Sequence, residues 1–325
     1  MRKQYLNSIK DRIFRAKRIL IAGHAGPDFD SAGSCLGLYE ILKDLGKEVG
    51  MGTFFKEEIW SRALVNQDRM RDFRSLGDPD LVILLDYGKM RHLVQYVRGY
   101  IDARDPCVIT IDNHPYQDQQ GDVVWLGQEY IATAEMIYDL AVKYRWPIND
   151  RAAFYLLLGI MAESGGLGFY PISVKTLRKL VKLIRSNDDL MRVAYIIRRW
   201  EDISDIHAYG ALLKLIKRDR RLGLVYGVWG QGHLRGSELA VRAVHETMFL
   251  KGYTIMFILR TVPDSSEWYC SLRGSKENQV DLNVLASYFG CGGHFNSAGF
   301  KSSETSAKII RQIKQRIRQA RKIQG

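Results

Sequence analysis

The chain has 325 residues, 46% hydrophobic and 26% charged, which excludes a disordered polymer and leaves room for two domains. Its 48 Lys and Arg against 36 Asp and Glu give a formal charge of +12, which points to a polyanionic partner such as nucleic acid or nucleotide phosphate. The four cysteines (Cys35, Cys107, Cys270, Cys291) form no CxxC pair, and the sequence has no apolar run of about 18 residues. The expectation is a cytoplasmic protein with reduced thiols, neither secreted nor membrane-spanning.

Both ends are basic. The start carries Arg2, Lys3, Lys10, Arg12, Arg15, Lys17 and Arg18. The end carries Lys308, Arg311, Lys314, Arg316, Arg318, Arg321 and Lys322. These are either solvated helix faces or phosphate-steering surfaces. Between them, Arg18–Ala22 reads as a short buried strand, followed by a helix from Ser31 to Leu45 that ends at Gly46. Further strands are expected over Lys47–Phe55, Leu81–Leu85, Cys107–Ile111 and Val123–Leu126. Continuous apolar runs separated by helical patterns predict a parallel sheet with helices on both faces. Helical periodicity continues over Thr133–Tyr144, Asp150–Ala162, Ser173–Ile184, Leu190–Trp200 and Ser204–Lys217. The charged run Lys217–Arg221 marks a boundary. A second α/β pattern follows: strand Leu222–Trp229, helix Ser237–Leu250, strands Tyr253–Arg260 and Glu267–Leu272, helix Asn283–Phe289, a Gly-rich loop and the basic terminal helix. The fold class is therefore α/β. A parallel-sheet domain covers 1–190, a helical connector 191–220 and a smaller α/β domain 221–325.

Chemistry gathers at the strand ends of the first domain. His24, Asp28 and Asp30 follow the first strand, Asp86 ends the third, and Asp112, Asn113 and His114 end the fourth. Parallel strands put these ends on one rim, where open α/β sheets bind ligands. Asp30 or Ser31 alone could merely cap the next helix, and one Asp after a strand is usually a turn former. The repetition at neighbouring strands favours a metal site instead. Carboxylates mixed with imidazole suit Mn2+ or Mg2+, and a pair of such ions is the usual answer to converging carboxylates.

His24-Ala-Gly-Pro-Asp28-Phe-Asp30-Ser-Ala-Gly-Ser34 resembles the HxxPDxDxxGS motif of the DHH phosphoesterases. Asp86 in Leu-Leu-Asp-Tyr-Gly matches their second motif, and Asp112-Asn113-His114-Pro115 stands where their Asp-His-His belongs. Cys291-Gly-Gly-His294-Phe-Asn-Ser-Ala298-Gly299 is similar to the GGGHxxAAG loop of the companion DHHA1 domain, and Ser271-Leu-Arg273-Gly-Ser to its SLRS strand. The size and order of motifs look like the nanoRNase/pAp-phosphatase branch. The resemblance implies that His24 and Asp28 bind a first Mn2+, Asp30 a second, and that Asp86 bridges them. It also implies that His114 contacts substrate phosphate, while Arg273, Gly292, Gly293 and His294 hold the nucleotide from the smaller domain.

Two departures fall on the second ion. The family's first His of the triplet is Asn113 here, and its Asp-Thr-Gly is Glu163-Ser164-Gly165. An amide oxygen is a poorer donor than imidazole, and Glu is one methylene longer. Either Glu163 and Asn113 form a re-tuned site with Mg2+ as an alternative, or the second site is weakened. The resulting expectation is a two-metal phosphoesterase acting on short oligonucleotides or nucleotide phosphates, with Asp28, Asp30, Asp86 and His114 catalytic and the site in a cleft between the domains. The alternatives are a non-catalytic nucleotide- or nucleic-acid-binding protein and a polyphosphate or pyrophosphate hydrolase of the same fold. No membrane partner is expected, and a homodimer is one assembly compatible with this reading.

Overall fold

A computed structural model describes residues 2–52, 76–115, 118–168, 172–186, 188–198, 202–230, 236–262 and 265–323. The chain divides into two compact units, Met1–Arg199 and Trp200–Gly325.

The first unit is built on a five-stranded parallel sheet of order β2-β1-β3-β4-β5. Its strands are β1 (Arg18–Ala22), β2 (Glu48–Met51), β3 (Leu81–Leu85), β4 (Cys107–Asp112) and β5 (Val123–Leu126). Their burial explains the apolar runs, because β3 is buried at every position. Ile19, Ile21, Ile83, Leu85, Ile109 and Ile111 face one core with α1 (Arg2–Arg15), α2 (Phe29–Asp44), α4 (Thr133–Tyr144) and α5 (Asp150–Glu163). The alternate residues Leu20, Ala22, Val82, Leu84 and Val108 face the other side, where α3 (Gln95–Arg104) supplies Val97. Helices therefore do cover both faces. The chain moves one way from β1 to β2 and the other way from β3 to β4, so the ends of β1 and β3 flank a topological switch point.

Glycines set how closely α2 and α5 cross. A Cβ on Gly33 would lie 2.4 Å from the Tyr155 carbonyl oxygen and 2.9 Å from Gly159 N. One on Gly159 would lie 2.8 Å from Ala134 Cβ and 3.2 Å from Asp30 Oδ1. Backbone cannot yield as a side chain can, so this contact fixes the position of the α2 N-terminus. Gly33→Ala is expected to cost about 1–3 kcal/mol of stability in chemical denaturation. An unchanged midpoint would contradict the close packing.

The second unit holds a six-stranded mixed sheet of order β10-β11-β9-β8-β7-β6. The strands are β6 (Lys217–Asp219), β7 (Leu224–Trp229), β8 (Ile255–Thr261), β9 (Trp268–Gly274), β10 (Gly292–His294) and β11 (Ser297–Ser302). Only β7 and β8 are parallel. Leu224, Phe257, Leu272 and Phe300 face α10 (Leu282–Ser287) and α11 (Ser306–Ile323). Val225, Met256 and Ile258 face α8 (Ile203–Lys214) and α9 (Gly236–Thr247).

Three local expectations change. The second strand ends at Met51, and Thr53–Phe55 lie outside the described residues. The expected 191–220 connector is divided between the units. Val193 and Ile196 of α7 (Asp189–Arg198) pack in the first core, and Leu212 of α8 packs in the second. Lys217–Asp219, expected as a boundary, is an edge strand antiparallel to β7. Helix α6 (Val174–Leu183) starts at its expected cap, where Ser173 Oγ accepts the Thr176 N–H. The Gly-rich segment near the end is the β10–β11 hairpin. There a Cβ on Gly293 would lie 2.3 Å from the Ser297 carbonyl oxygen. No helix among the described residues is long and apolar enough to cross a membrane.

Candidate active site

The donors converge at the switch point. After β1 the chain is pinned to the 3-10 turn at Met90–His92: Ala25 N–H donates to the His92 carbonyl at 2.7 Å, and His24 bridges to Leu93. Asp28 caps α2, its Oδ1 accepting the N–H groups of Asp30 and Ser31, both at 3.0 Å. The same oxygen lies 3.9 Å from His24 Nε2. Capping and ligand placement thus coincide in one residue. Asp86, immediately after β3, adopts φ 50°, the left-handed region that Asp tolerates better than most side chains. His24, Asp28 and Asp86 each offer a donor atom within 4.8 Å of the others, as do Asp86, Asp112 and His114. Asp86 is common to both groups.

Asp112 is fully buried and holds its neighbours. Its Oδ2 accepts the N–H groups of Tyr87 (3.1 Å) and Gly88 (2.8 Å), and its Oδ1 accepts the N–H of His114 (2.9 Å). His114 Nδ1 lies 2.8 Å from Asp112 Oδ1 and 3.5 Å from Asp86 Oδ1. With Nδ1 committed to Asp112, Nε2 is the ring atom that would meet a metal or a phosphate.

The electrostatics call for a cation. Burial raises the Asp86 carboxyl well above the ordinary carboxylate range, and the charges of Asp30, Asp28, Asp112 and Glu163 raise it further. Burial and the Asp28 charge lift Asp30 to about 7. At His114, burial favours the neutral ring. The Asp112 hydrogen bond and the surrounding carboxylates outweigh it and bring the ring to about 9. A divalent cation is the natural counter-ion, and the carboxylate–imidazole donor set fits Mn2+ or Mg2+.

In the second unit, strand register forms a row. Arg273 on β9 pairs with Ser297 on β11, which pairs with His294 on β10, so these side chains share one face. Gly292 and Gly293 precede His294, and Gly293 N–H donates to Asn283 Oδ1 at 3.0 Å.

Residues 18–160 match the DHH family, N-terminal domain. The chain carries a DHH-family domain. It is 28% identical over 186 residues to the bifunctional oligoribonuclease and PAP phosphatase NrnA of Bacillus subtilis, an alignment that spans 54% of this chain and 56% of that protein. With the NrnA of Mycoplasma genitalium it shares 22% identity over 315 residues, 92% of this chain and 93% of that one. The fold matches a Bacteroides fragilis exopolyphosphatase-related protein with TM-score 0.82 at 18% identity, covering 98% of this chain and 96% of that one.

Within the DHH domain, His24, Asp28, Asp86 and His114 come together. Asp30 is close by but turned to α4, its Oδ2 accepting Thr133 N–H (2.7 Å) and its Oδ1 accepting Ala134 N–H (3.0 Å) and the Ser34 hydroxyl (3.2 Å). Asn113 donates through Nδ2 to the Ile131 carbonyl (3.1 Å) and accepts the Thr133 hydroxyl through Oδ1 (3.1 Å), an arrangement that braces the β4–α4 connection. Glu163 closes α5 and acts on Asp86 and His114 through its charge. Among the described residues, neither Asp30 nor Glu163 joins the two converging groups.

Sequence reasoning missed Thr133. Its N–H holds Asp30, and its hydroxyl lies 3.3 Å from Asp86 Oδ1 as well as against Asn113. In the sequence it shows only as the first residue of a helix.

Proposed function

We propose that this DHH phosphoesterase hydrolyses phosphate esters of short nucleotides, with 5′-phosphorylated di- and trinucleotides as its best substrates and Mn2+ as its cofactor. The observation that carries the reading is Asp86, a buried carboxylate shared by two donor groups and surrounded by further carboxylates. The activities named for the NrnA relatives and the net charge of +12 support a nucleotide substrate.

In this reading His24, Asp28 and Asp86 would hold one divalent ion, and Asp86, Asp112 and His114 would border a second position, while Asp30 and Asn113, expected from the sequence as ligands of that second ion, are held by the start of α4 and the residues before it. A bound divalent ion supplies Lewis acidity, which lowers the pKa of a water and offsets charge on the phosphate. The chain's own residues set the geometry. Asp112 fixes the His114 ring so that its Nε2 can bind a phosphate oxygen, and the protonated ring adds positive charge there. Thr133 and the α4 N-terminus hold the Asp30 carboxylate in place. In the second unit, Arg273 offers planar donors to a phosphate, with Gly292, Gly293 and His294 beside it.

The test compares initial rates of the full chain with Mn2+ on three substrates: a 5′-phosphorylated RNA dinucleotide, 3′-phosphoadenosine 5′-phosphate and inorganic polyphosphate. The dinucleotide is expected to be turned over at least tenfold faster than polyphosphate. A rate that is highest on polyphosphate and indifferent to a nucleobase would overturn the nucleotide assignment.

A further inference from the structure

We propose that His245 is a positioning residue that orients Arg273 for substrate phosphate, an inference that rests on the nucleotide reading above. Arg273 stands on β9, in a row that runs Met256, Arg273, Ser297, His294 across four strands. Met256 belongs to the core that α9 covers with Ala240, Ala243 and Val244, so the row lies on the face of the sheet that α9 packs against. His245, one residue after Val244, reaches Arg273 from that helix. Arg273 Nε–H donates to His245 Nε2 at 3.1 Å. A second donor on the same guanidinium, Nη1–H, goes to the Leu272 carbonyl at 2.9 Å.

These two bonds fix the plane of the guanidinium. An arginine has five N–H donors in a rigid fork, so anchoring Nε and one edge of Nη1 leaves the remaining edge pre-organised. Ser297 and His294 are the next side chains along the row on that face. A phosphate meeting that edge would need no further ordering of a long side chain, which is where pre-organisation adds affinity.

Only a neutral imidazole can accept this hydrogen bond. Burial, helped by the Arg273 charge, pushes His245 down to about 3, so the ring stays neutral over the working range with its proton on Nδ1. The donor and acceptor roles therefore agree with the charges. A lysine at 273 could not be held in the same way, because it has no planar fork.

The test uses the full chain with the 5′-phosphorylated diadenylate pApA as probe. Kd is measured by calorimetry in EDTA, and KM and kcat with Mn2+. His245→Leu removes the acceptor and keeps bulk, whereas His245→Gln replaces Nε2 with an amide oxygen. The expected result is a rise of about tenfold or more in both Kd and KM for His245→Leu, with kcat changed less, and values within about threefold of wild type for His245→Gln. His245→Leu in the Arg273→Gln background should add little further loss, since His245 acts through Arg273. The Arg273 Nε–H resonance should move in His245→Leu and return toward its wild-type position in His245→Gln.

Equal damage from Leu and Gln would mark a packing role and overturn the proposal, as would a wild-type Kd for His245→Leu. If wild type binds pApA without turning it over, the hydrolytic reading fails while the Kd series still decides the role of His245. If wild type neither binds nor hydrolyses pApA, both fall.

Discussion

Asp86→Asn is expected to lower kcat/KM by on the order of 10³-fold while leaving the protein folded and, without metal, at least as stable as wild type. The loss follows from position: Asp86 is the one residue present in both donor groups, and metal-borne charge stabilisation is worth several kcal/mol, of which about 4 corresponds to 10³ in rate. The stability side follows from the same crowding. Burial and the charges of Asp30, Asp28, Asp112 and Glu163 all oppose ionisation of Asp86, so a neutral amide removes repulsion from the metal-free fold. Asn also accepts the φ of 50° at this position, which makes it a better probe than Ala. Functional residues commonly cost stability in this way. Melting curves in EDTA and initial rates with Mn2+ check both halves. Activity within tenfold of wild type, or a melting point well below it, would contradict the shared-ligand role.

The second large effect is on stability against pH. Asp30 sits at about 7 in the folded chain, above its ordinary 3.8, so the folded state holds an extra proton between those values. Stability from this group is greatest in acid and falls as pH rises from about 4 to about 7. His114, raised from 6.5 to about 9, stabilises the fold below 6.5, and that contribution is lost as pH rises through about 9. Asp112 runs the other way. Although burial alone would raise it, its bonds to His114 and Gly88 depress it, so its contribution is lost only in stronger acid, below about 3.8. His245, depressed to about 3, opposes this trend only up to pH 6.5, so between pH 6.5 and 8.5 the metal-free melting temperature should fall, by the equivalent of a few kcal/mol. A divalent ion competes with these protons, so Mn2+ should raise the melting temperature more at pH 8.5 than at pH 5.5. A metal-free melting point that climbs between pH 6.5 and 8.5, or an Mn2+ shift equal at pH 5.5 and pH 8.5, would contradict the site's electrostatics.

Much of the first unit was legible because its strands are buried on both faces. Ile19–Ile21 and Leu81–Leu85 contain no polar residue and Val108–Ile111 only the β-branched Thr110, so the runs stand out, and Asp86 and Asp112 come directly after the last two. Helix α1 was not legible: Leu6, Ile9 and Ile13 carry its buried stripe among polar and basic side chains that read first as charge. The short strand β6 is Lys-Arg-Asp, a charged edge of the kind that discourages further pairing, and charge hid it as a boundary. The β10–β11 hairpin was hidden by glycines whose absent side chains leave no alternation to read.

At the site, the acidic set was legible from strand ends, whereas the division of labour was not. Asp28 both caps α2 and faces His24, so neither role excludes the other. Asp112 serves to hold His114, and Thr133 joins Asp30, Asp86 and Asn113 only because α4 brings its first turn to the end of β3. His245 is one residue in an amphipathic helix until the register of β9 places Arg273 against it. These are relations between elements, and sequence spacing carries no record of them.

The most direct measurement of the central claim is release of mononucleotide from pApA by the full chain after chelation, then after stepwise return of Mn2+. The account predicts no turnover in EDTA, recovery as Mn2+ is added, and no recovery in Asp86→Asn. Turnover that persists in EDTA, or that returns equally in Asp86→Asn, would contradict a metal-dependent centre built around Asp86.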